Sequence, residues 1–268
     1  MASLRLAVCG AAGRMGGQVV QALHAEAGLE TVGLIDPADI PAALVDQFAP
    51  GAVTGSDAGQ VFDAAKPDVV VDFTTASAAE RSIHAALDRG ISPVVGTTGL
   101  SDQAIDQIWR KCREKKIGAF IAPNFALGAV MLMRLCEVAA PFFDHVEIVE
   151  LHHDRKLDAP SGTALQTARM IVSARGRPAT DVPTEKFTVQ GVRGGDYQGV
   201  KIHSVRLPGL VAHQEVLFGG LGQTLSLRHD STSRDSFMPG VMMAVRRVRS
   251  LDGLVVGLDK LMFESASG

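Results

Sequence analysis

Leu4-Arg5-Leu6-Ala7-Val8-Cys9, followed at once by Gly10-Ala11-Ala12-Gly13-Arg14-Met15-Gly16, is the stretch that decides the fold. The first run has an apolar strand pattern, and the second is a Gly-x-x-Gly-x-x-Gly turn that opens a helical pattern. Glycine is needed where a side chain would hold a pyrophosphate away from the backbone N–H groups at a helix N-terminus. By itself such a turn is also what any tight strand-to-helix connection looks like, so its setting matters. A second strand pattern ends in Asp36, about 20 residues beyond Gly16, where a Rossmann fold places a carboxylate to accept from the adenosine ribose. Gly10, Ala12, Gly13, Arg14, Met15, Gly16 and Asp36 are therefore expected around a dinucleotide. The charge on Asp36 repels a 2′-phosphate and Pro37 adds no cation to offset it. NADH is thus the expected coenzyme, with NADPH tolerated through partial compensation by Arg14.

Outward from the turn, short β-branched runs alternate with helical patterns, as in a parallel sheet covered on both faces. Strands are expected over 4–9, 31–35, 69–73, 93–95 and 118–122. Ser77-Ala78-Ala79-Glu80 has the form of a capping box, with Arg89-Gly90 as the stop of its helix. Ser101 is placed to cap the next helix, whose apolar stripe is Ile105, Ile108, Trp109 and Cys112. Gly96-Thr97-Thr98-Gly99 and Ala122-Pro123-Asn124-Phe125 follow the fourth and fifth strands, at the carboxyl ends where open α/β sheets bind ligands. Two ordinary turns would look the same.

Beyond Asn124 the pattern changes. A helix over 127–139 ends at Pro141, a strand covers 146–151, and a helix starts near Ser161 and stops at Gly176 and Pro178. Strands over 201–206, 211–218 and 224–228 then follow without helices between them, which points to a second, α+β domain. A closing helix over 235–249 is able to return to the first domain. The fold class expected is α/β, an N-terminal Rossmann-type parallel sheet with a second α+β domain for substrate binding and oligomerisation.

The 268 residues are 46% hydrophobic and 21% charged, enough for one large core or two modest ones. A net charge of −3 argues against nucleic-acid or anionic-membrane partners, which select for excess Lys and Arg. Cys9, Cys112 and Cys136 are odd in number and far apart, so they are expected as reduced, mostly buried thiols. No secretory leader pattern precedes the first strand and no apolar run is long enough for a bilayer, so a cytoplasmic location is expected.

The densest chemistry is Glu150-Leu151-His152-His153-Asp154-Arg155-Lys156-Leu157-Asp158-Ala159-Pro160-Ser161-Gly162-Thr163-Ala164. A strand delivers two histidines and a lysine into a loop that opens a helix through Ser-Gly-Thr. The first-turn N–H groups suit a carboxylate, with the Thr163 hydroxyl as a further donor. A metal site is disfavoured, because neighbours on a strand point to opposite faces and no ligand set surrounds the histidine pair. A solvated charged loop remains the bland alternative.

These residues resemble those of bacterial dihydrodipicolinate reductases. His152-His153-x-x-Lys156 with Asp158-Ala159-Pro160-Ser161-Gly162-Thr163-Ala164 is similar to that family's signature, and the glycine turn, Val71-Asp72-Phe73-Thr74, Gly96-Thr97-Thr98-Gly99 and Ala122-Pro123-Asn124-Phe125 match its other landmarks in order. The resemblance implies a dinucleotide-binding domain of residues 1–124 plus 234–268 and a substrate-binding and tetramerisation domain of residues 125–233. It further implies reduction of a six-membered cyclic dicarboxylate, 4-hydroxy-tetrahydrodipicolinate, to tetrahydrodipicolinate in lysine and diaminopimelate synthesis, by a homotetramer. His152 would be the general acid, Lys156 a proton donor and charge partner, and His153, Ser161, Gly162 and Thr163 would hold carboxylate. Phe73, Gly96, Thr97, Thr98, Ala122, Pro123, Asn124 and Phe125 would join the glycine turn and Asp36 around the nucleotide. No metal is implied. Val211-Ala212-His213-Gln214-Glu215 departs from the Gly-Glu-His run of many relatives, which touches subunit contacts and not the main loop. Gly191-Val192-Arg193-Gly194-Gly195-Asp196 has the glycine content of a segment that closes over substrate, although a solvent loop fits equally.

Two other classes stay open on the residues alone. A different two-domain nicotinamide dehydrogenase would share the glycine turn and Asp36, and the His-His and Ser-Gly-Thr loop argues against it. A nucleotide sensor would bind NADH without turnover.

Overall fold

The computed structural model describes residues 3–263. The chain divides into two compact units, Met1–Phe125 with Phe237–Gly268, and Ala126–Ser236. Residues 1–2 and 264–268, part of the expected first domain, lie outside the described residues.

The first unit begins β1 (Leu4–Cys9), α1 (Arg14–Ala25), β2 (Leu29–Ile35), α2 (Ala42–Phe48), β3 (Val53–Gly55), α3 (Ala58–Ala65) and β4 (Val69–Asp72). It continues with α4 (Ala76–Asp88), β5 (Ser92–Val95), α5 (Asp102–Lys115) and β6 (Ala119–Ile121). The second unit contributes α6 (Leu127–Ala139), β7 (His145–His152), α7 (Gly162–Arg175), β8 (Gly195–Tyr197), β9 (Val200–Arg206), β10 (Ala212–Gly220) and β11 (Gln223–Ser231). The chain then adds α8 (Met238–Arg247), β12 (Leu254–Val256) and α9 (Leu258–Phe263) to the first.

The first sheet runs β12-β6-β5-β4-β1-β2-β3, and its pairings are parallel. Its central strands are buried on both faces: every residue of Val69–Asp72 and Ser92–Val95 is buried, the mark of a parallel sheet between helical layers. The order reverses direction between β1 and β4, and such a switch point leaves a crevice outside the carboxyl ends of the strands. Gly10 and Phe73 stand at that point.

The second sheet runs β11-β10-β7-β9-β8, with β7 and β9 parallel and the other pairs antiparallel. Residues alternate faces along β7, so Val146 and Ile148 enter a core with Leu132, Cys136, Ala168, Ile171, Val216 and Phe218. The same alternation carries Glu150 onto the core face, and His152 after it. That places a carboxylate where a strand would otherwise put a hydrocarbon.

Several local expectations change. The N-cap of α4 is Thr75, without a side-chain bond, and Ser77 is exposed inside the helix, so the Ser77–Glu80 box does not form. The Asp72 carboxylate explains this: it accepts from Thr74 N at 2.9 Å and turns the chain early enough for the helix to begin at Ala76. Trp109 is 44% exposed and carries Arg113 over its ring at 5.2 Å, while α5 buries Ala104, Ile108 and Cys112 at successive four-residue steps. The closing helix is shorter than expected, because Pro239 in its first turn has no N–H to extend a helix backwards and a 3-10 turn covers Arg234–Phe237 instead. The strands β3 and β12, three residues each, are too short for a periodicity to show. The three cysteines are free and buried.

Ser101 does cap α5, its hydroxyl accepting from Ala104 N at 3.1 Å. Ser101→Ala is expected to cost about 1 kcal/mol, and Ser77→Ala to be neutral or slightly stabilising. Urea denaturation of the two variants side by side checks this, and equal losses would contradict the cap assignment.

Candidate active site

In the first unit the glycine turn is built by backbone proximity. Gly10 has φ +83° and its amide donates to Ile35 O at 2.8 Å, while Gly13 N closes the turn on Gly10 O at 3.0 Å. A Cβ on Gly16 would lie 2.0 Å from Gly10 O, so no larger residue fits the first turn of α1 there. Gly13 is the N-cap, and Arg14 and Met15 open the helix with their amides in its first turn.

Asp36 follows β2, and both of its oxygens are oriented by backbone: Oδ2 accepts from Ala12 N at 3.0 Å and Oδ1 from Ala38 N at 2.9 Å. Each keeps acceptor capacity for a ribose hydroxyl. At the other side of the crevice, Phe73 lies on the Gly96 backbone, where a Cβ would come 2.1 Å from the ring. Phe73 packs on buried Phe125 with centroids 5.7 Å apart, and Phe125 on Phe120 at 5.8 Å. Thr97 is buried and its hydroxyl donates to Thr74 O at 3.0 Å. Ala122 N donates to Val95 O at 3.0 Å, Asn124 is half-buried, and Thr98 and Pro123 are exposed on their loops. The expected nucleotide residues thus gather at the carboxyl ends of β1, β2, β4, β5 and β6. A cleft of about 280 Å³ opens beside Gly10 at the ends of β1, β2 and β4, lined also by Pro37, Asp57, Thr74 and Arg81. These features fit a dinucleotide: close backbone approach, a helix N-terminus for phosphate and a carboxylate for ribose.

Asp72 went unassigned in the sequence and organises this end of the sheet. It is fully buried; Oδ1 accepts from Thr74 N and, at 2.6 Å, from Thr74 Oγ1, while the Ser82 hydroxyl donates to Oδ2. Burial, and then the Asp72 charge, push the neighbouring Cys9 thiol well above its usual range, so Cys9 stays protonated.

In the second unit the loop after β7 is organised around Glu150, whose side chain is 0% exposed. Oε2 faces His152 Nδ1 at 2.5 Å and accepts from Arg206 Nη1 at 3.0 Å. Oε1 accepts from Arg206 Nη2 at 2.8 Å and from Ser161 N at 3.3 Å. Burial alone would raise this carboxyl, yet the bonds from His152, Arg206 and Ser204 outweigh it and pull it down to about 2. Arg206 Nη2 also donates to Asp158 O at 2.7 Å, which ties down the loop.

Ser161 is 2% exposed, and its hydroxyl caps α7 by accepting from Ala164 N at 3.2 Å. Gly162 and Thr163 follow as the first helical residues, Gly162 with open space where a Cβ would stand. Lys156 Nζ lies 2.8 and 3.0 Å from the Asp158 carboxylate, which it holds below the usual range. His153 comes directly after the strand, where an extended chain turns it away from the face of His152. His152, Ser161 and the helix start are therefore brought together through one carboxylate, and Lys156 stands on the same loop with an exchangeable partner.

Like Asp72 in the first unit, Glu150 and Arg206 had no role assigned from the sequence. The signal for Glu150 was present: period-two burial through Val146 and Ile148 puts it on the core face two residues before a histidine. Arg206 had none, because its partner is 56 residues away.

Residues 4–125 match the family profile described as dihydrodipicolinate reductase, N-terminus, and residues 128–262 the one described as dihydrodipicolinate reductase, C-terminus. The chain belongs to the dihydrodipicolinate reductase family. It is 45% identical over 265 residues to the 4-hydroxy-tetrahydrodipicolinate reductase of Moorella thermoacetica, covering 98% of this chain and 99% of that one. It is 48% identical over 263 residues to the protein of the same name from Geobacillus kaustophilus, covering 97% and 99%. Among solved structures it resembles a dipicolinate-bound dihydrodipicolinate reductase from Paenisporosarcina sp. TG-14, with TM-score 0.86 and 41% identity over 96% of this chain and 99% of that one. An amine dehydrogenase from Mycobacterium smegmatis, at TM-score 0.66 and 15% identity over 96% and 95%, shares the fold alone. The membership answers the question left open by the glycine turn, a feature of an architecture that serves several chemistries.

Glu150 supports a pH prediction for this reductase-family member. Its folded carboxyl lies near 2 against an ordinary 4.5, so its stabilisation is complete above about 4.5 and is lost as pH falls toward 2. The stability gap between wild type and Glu150→Gln should therefore narrow by roughly 3 kcal/mol over that interval. Acid-titrated urea denaturation measures it, and a gap independent of pH would contradict the assignment.

Proposed function

We propose that the protein reduces 4-hydroxy-tetrahydrodipicolinate to tetrahydrodipicolinate with NADH, tolerating NADPH, in lysine and diaminopimelate synthesis, as a cytoplasmic homotetramer. The observation that carries this reading is His152 bonded to an ionised, buried Glu150 beside the first turn of α7. Relatives at 45 and 48% identity bear the reductase name, and dipicolinate, an aromatic cyclic dicarboxylate, is bound in the Paenisporosarcina structure.

In this reading the first unit holds the nucleotide and the second holds the substrate. The amides of Gly13, Arg14 and Met15 would take the pyrophosphate and Asp36 the ribose, and the remaining cofactor residues would line the crevice at the carboxyl ends of β4, β5 and β6. The bound nicotinamide supplies hydride, and every other task falls to the chain. A substrate carboxylate takes the amides of Gly162 and Thr163, with the Thr163 hydroxyl and His153 as further partners and Ser161 shaping the helix start. Lys156 exchanges Asp158 for the second carboxylate or the ring nitrogen. A conjugated iminium, left once the hydroxyl departs as water, would become an enamine on accepting hydride, and His152 would then supply the proton its neighbouring carbon needs.

Asp36 opposes a 2′-phosphate, whereas Arg14 and the cleft-lining Arg81 favour one, which supports NADH preference with NADPH accepted. Tetramerisation is supported by the second unit's surface: β11 is a nine-residue edge strand, and Leu217, Leu221 and Phe142 are exposed.

Incubating the protein with freshly generated substrate and NADH or NADPH, while following the absorbance of the reduced nicotinamide, tests the activity and the coenzyme choice together. His152→Ala and Lys156→Ala should each lower turnover about 10²- to 10⁴-fold with NADH affinity nearly intact. Wild-type rates in both would refute the loop assignment. Asp36→Ala should raise the NADPH-to-NADH ratio of kcat/KM by about tenfold or more, since it removes both a ribose acceptor and a repelling charge. An unchanged ratio would remove Asp36 from the coenzyme site.

A further inference from the structure

We propose that Glu150, held by Arg206, is a positioning residue that sets the tautomer and orientation of the His152 imidazole, so that Nε2 is the atom that delivers the proton. This deepens the reading of His152 as the acid and rests on it.

An ionised carboxylate accepts and cannot donate, so each group within bonding distance of Glu150 must bring a hydrogen. Arg206 brings two, at 3.0 and 2.8 Å, and Ser161 N brings one at 3.3 Å. His152 approaches through Nδ1 at 2.5 Å, and its proton must therefore sit on Nδ1. Nε2 is left as the exchanging nitrogen. When His152 is an imidazolium, the Nε2–H bond breaks, a C–H bond forms on the substrate carbon, and the electron pair of the enamine closes that bond. The ring that remains is neutral and already carries its hydrogen on Nδ1, so donation needs no ring flip and no second proton movement.

The surroundings confine Glu150 to this task. From β9 come Arg206 and Ser204, and from β10 Gln214, which stands opposite Glu150 and bonds Thr167 of α7 at 2.8 Å. Lys156 lies on the loop and is paired with Asp158. The bidentate Arg206 pair cancels the Glu150 charge, which would otherwise oppose a dianionic substrate. Through Asp158 O and Ser161 N, the same pair fixes the loop bearing Lys156 and the helix start to the frame that orients the imidazole.

The test is ¹⁵N NMR of histidine-labelled full-length protein above the imidazole titration range, with the His152 signals assigned by their loss in His152→Asn. Wild type should show His152 as the Nδ1–H tautomer; an Nε2–H tautomer there would overturn the proposal, whatever the variants do. In Glu150→Gln the tautomer should shift toward Nε2–H, and kcat should fall about 10- to 100-fold with NADH affinity changed less than about twofold. Retained Nδ1–H together with unchanged kcat would also overturn it. Should Glu150→Gln fail to fold, the wild-type tautomer still decides, and Glu150→Asp, which keeps the charge, is expected to keep the Nδ1–H signature. The parent reading fails separately: full turnover in His152→Ala removes the acid role and leaves the tautomer result standing.

Discussion

A carboxylate taken out of water has to be met by donors on every side, and Glu150 is the place where that requirement shapes the second unit. Three elements converge on it because each supplies a donor: the end of β7 through His152, β9 through Arg206 and the start of α7 through Ser161. Had the position been hydrocarbon, like Val146 and Ile148 before it, these elements would still pack, but nothing would specify how the imidazole and the helix N-terminus face each other. The bonds that satisfy the buried charge are also those that bring the chemistry together.

The first unit uses the same device at the end of a different strand. Asp72 closes β4 with both oxygens occupied, by Thr74 on one side and Ser82 on the other, and Thr74 O in turn receives Thr97. The loops beside the switch point are thereby shaped from inside the protein, leaving their outer backbone for a ligand. In both units a buried carboxylate at a strand's carboxyl end sets the loops that follow, which lets a rigid sheet define loop geometry.

The parts of the site legible in the sequence share a physical basis: they depend on contacts between near neighbours. Gly10, Gly13 and Gly16 are legible because the turn is local and a side chain at Gly16 would strike the Gly10 carbonyl. Asp36 is legible because it ends the adjacent strand. Ser101 acts within one helical turn. The Ser77–Glu80 box, equally local in form, gave way because Asp72 had already turned the chain, and Trp109 left the core side of its helix although its spacing allowed either place. Propensity and pattern offer options, and longer-range bonds choose among them.

What the sequence by itself determined is the alternation of strands and helices, the nucleotide turn with its acidic partner, and a loop whose His-His-x-x-Lys and Ser-Gly-Thr spacing marks the family. Each rests on chain geometry over a few residues, or on a motif dense enough to be specific. Only the tertiary structure decided that Arg206 would neutralise Glu150 across 56 residues, that β12 would extend the parallel sheet beside β6, and that His152 would be held through Nδ1. The physical reason is the same in all three: a buried charge, an open sheet edge and an imidazole nitrogen each take whatever complementary group folding brings near, and linear spacing carries no record of that neighbour.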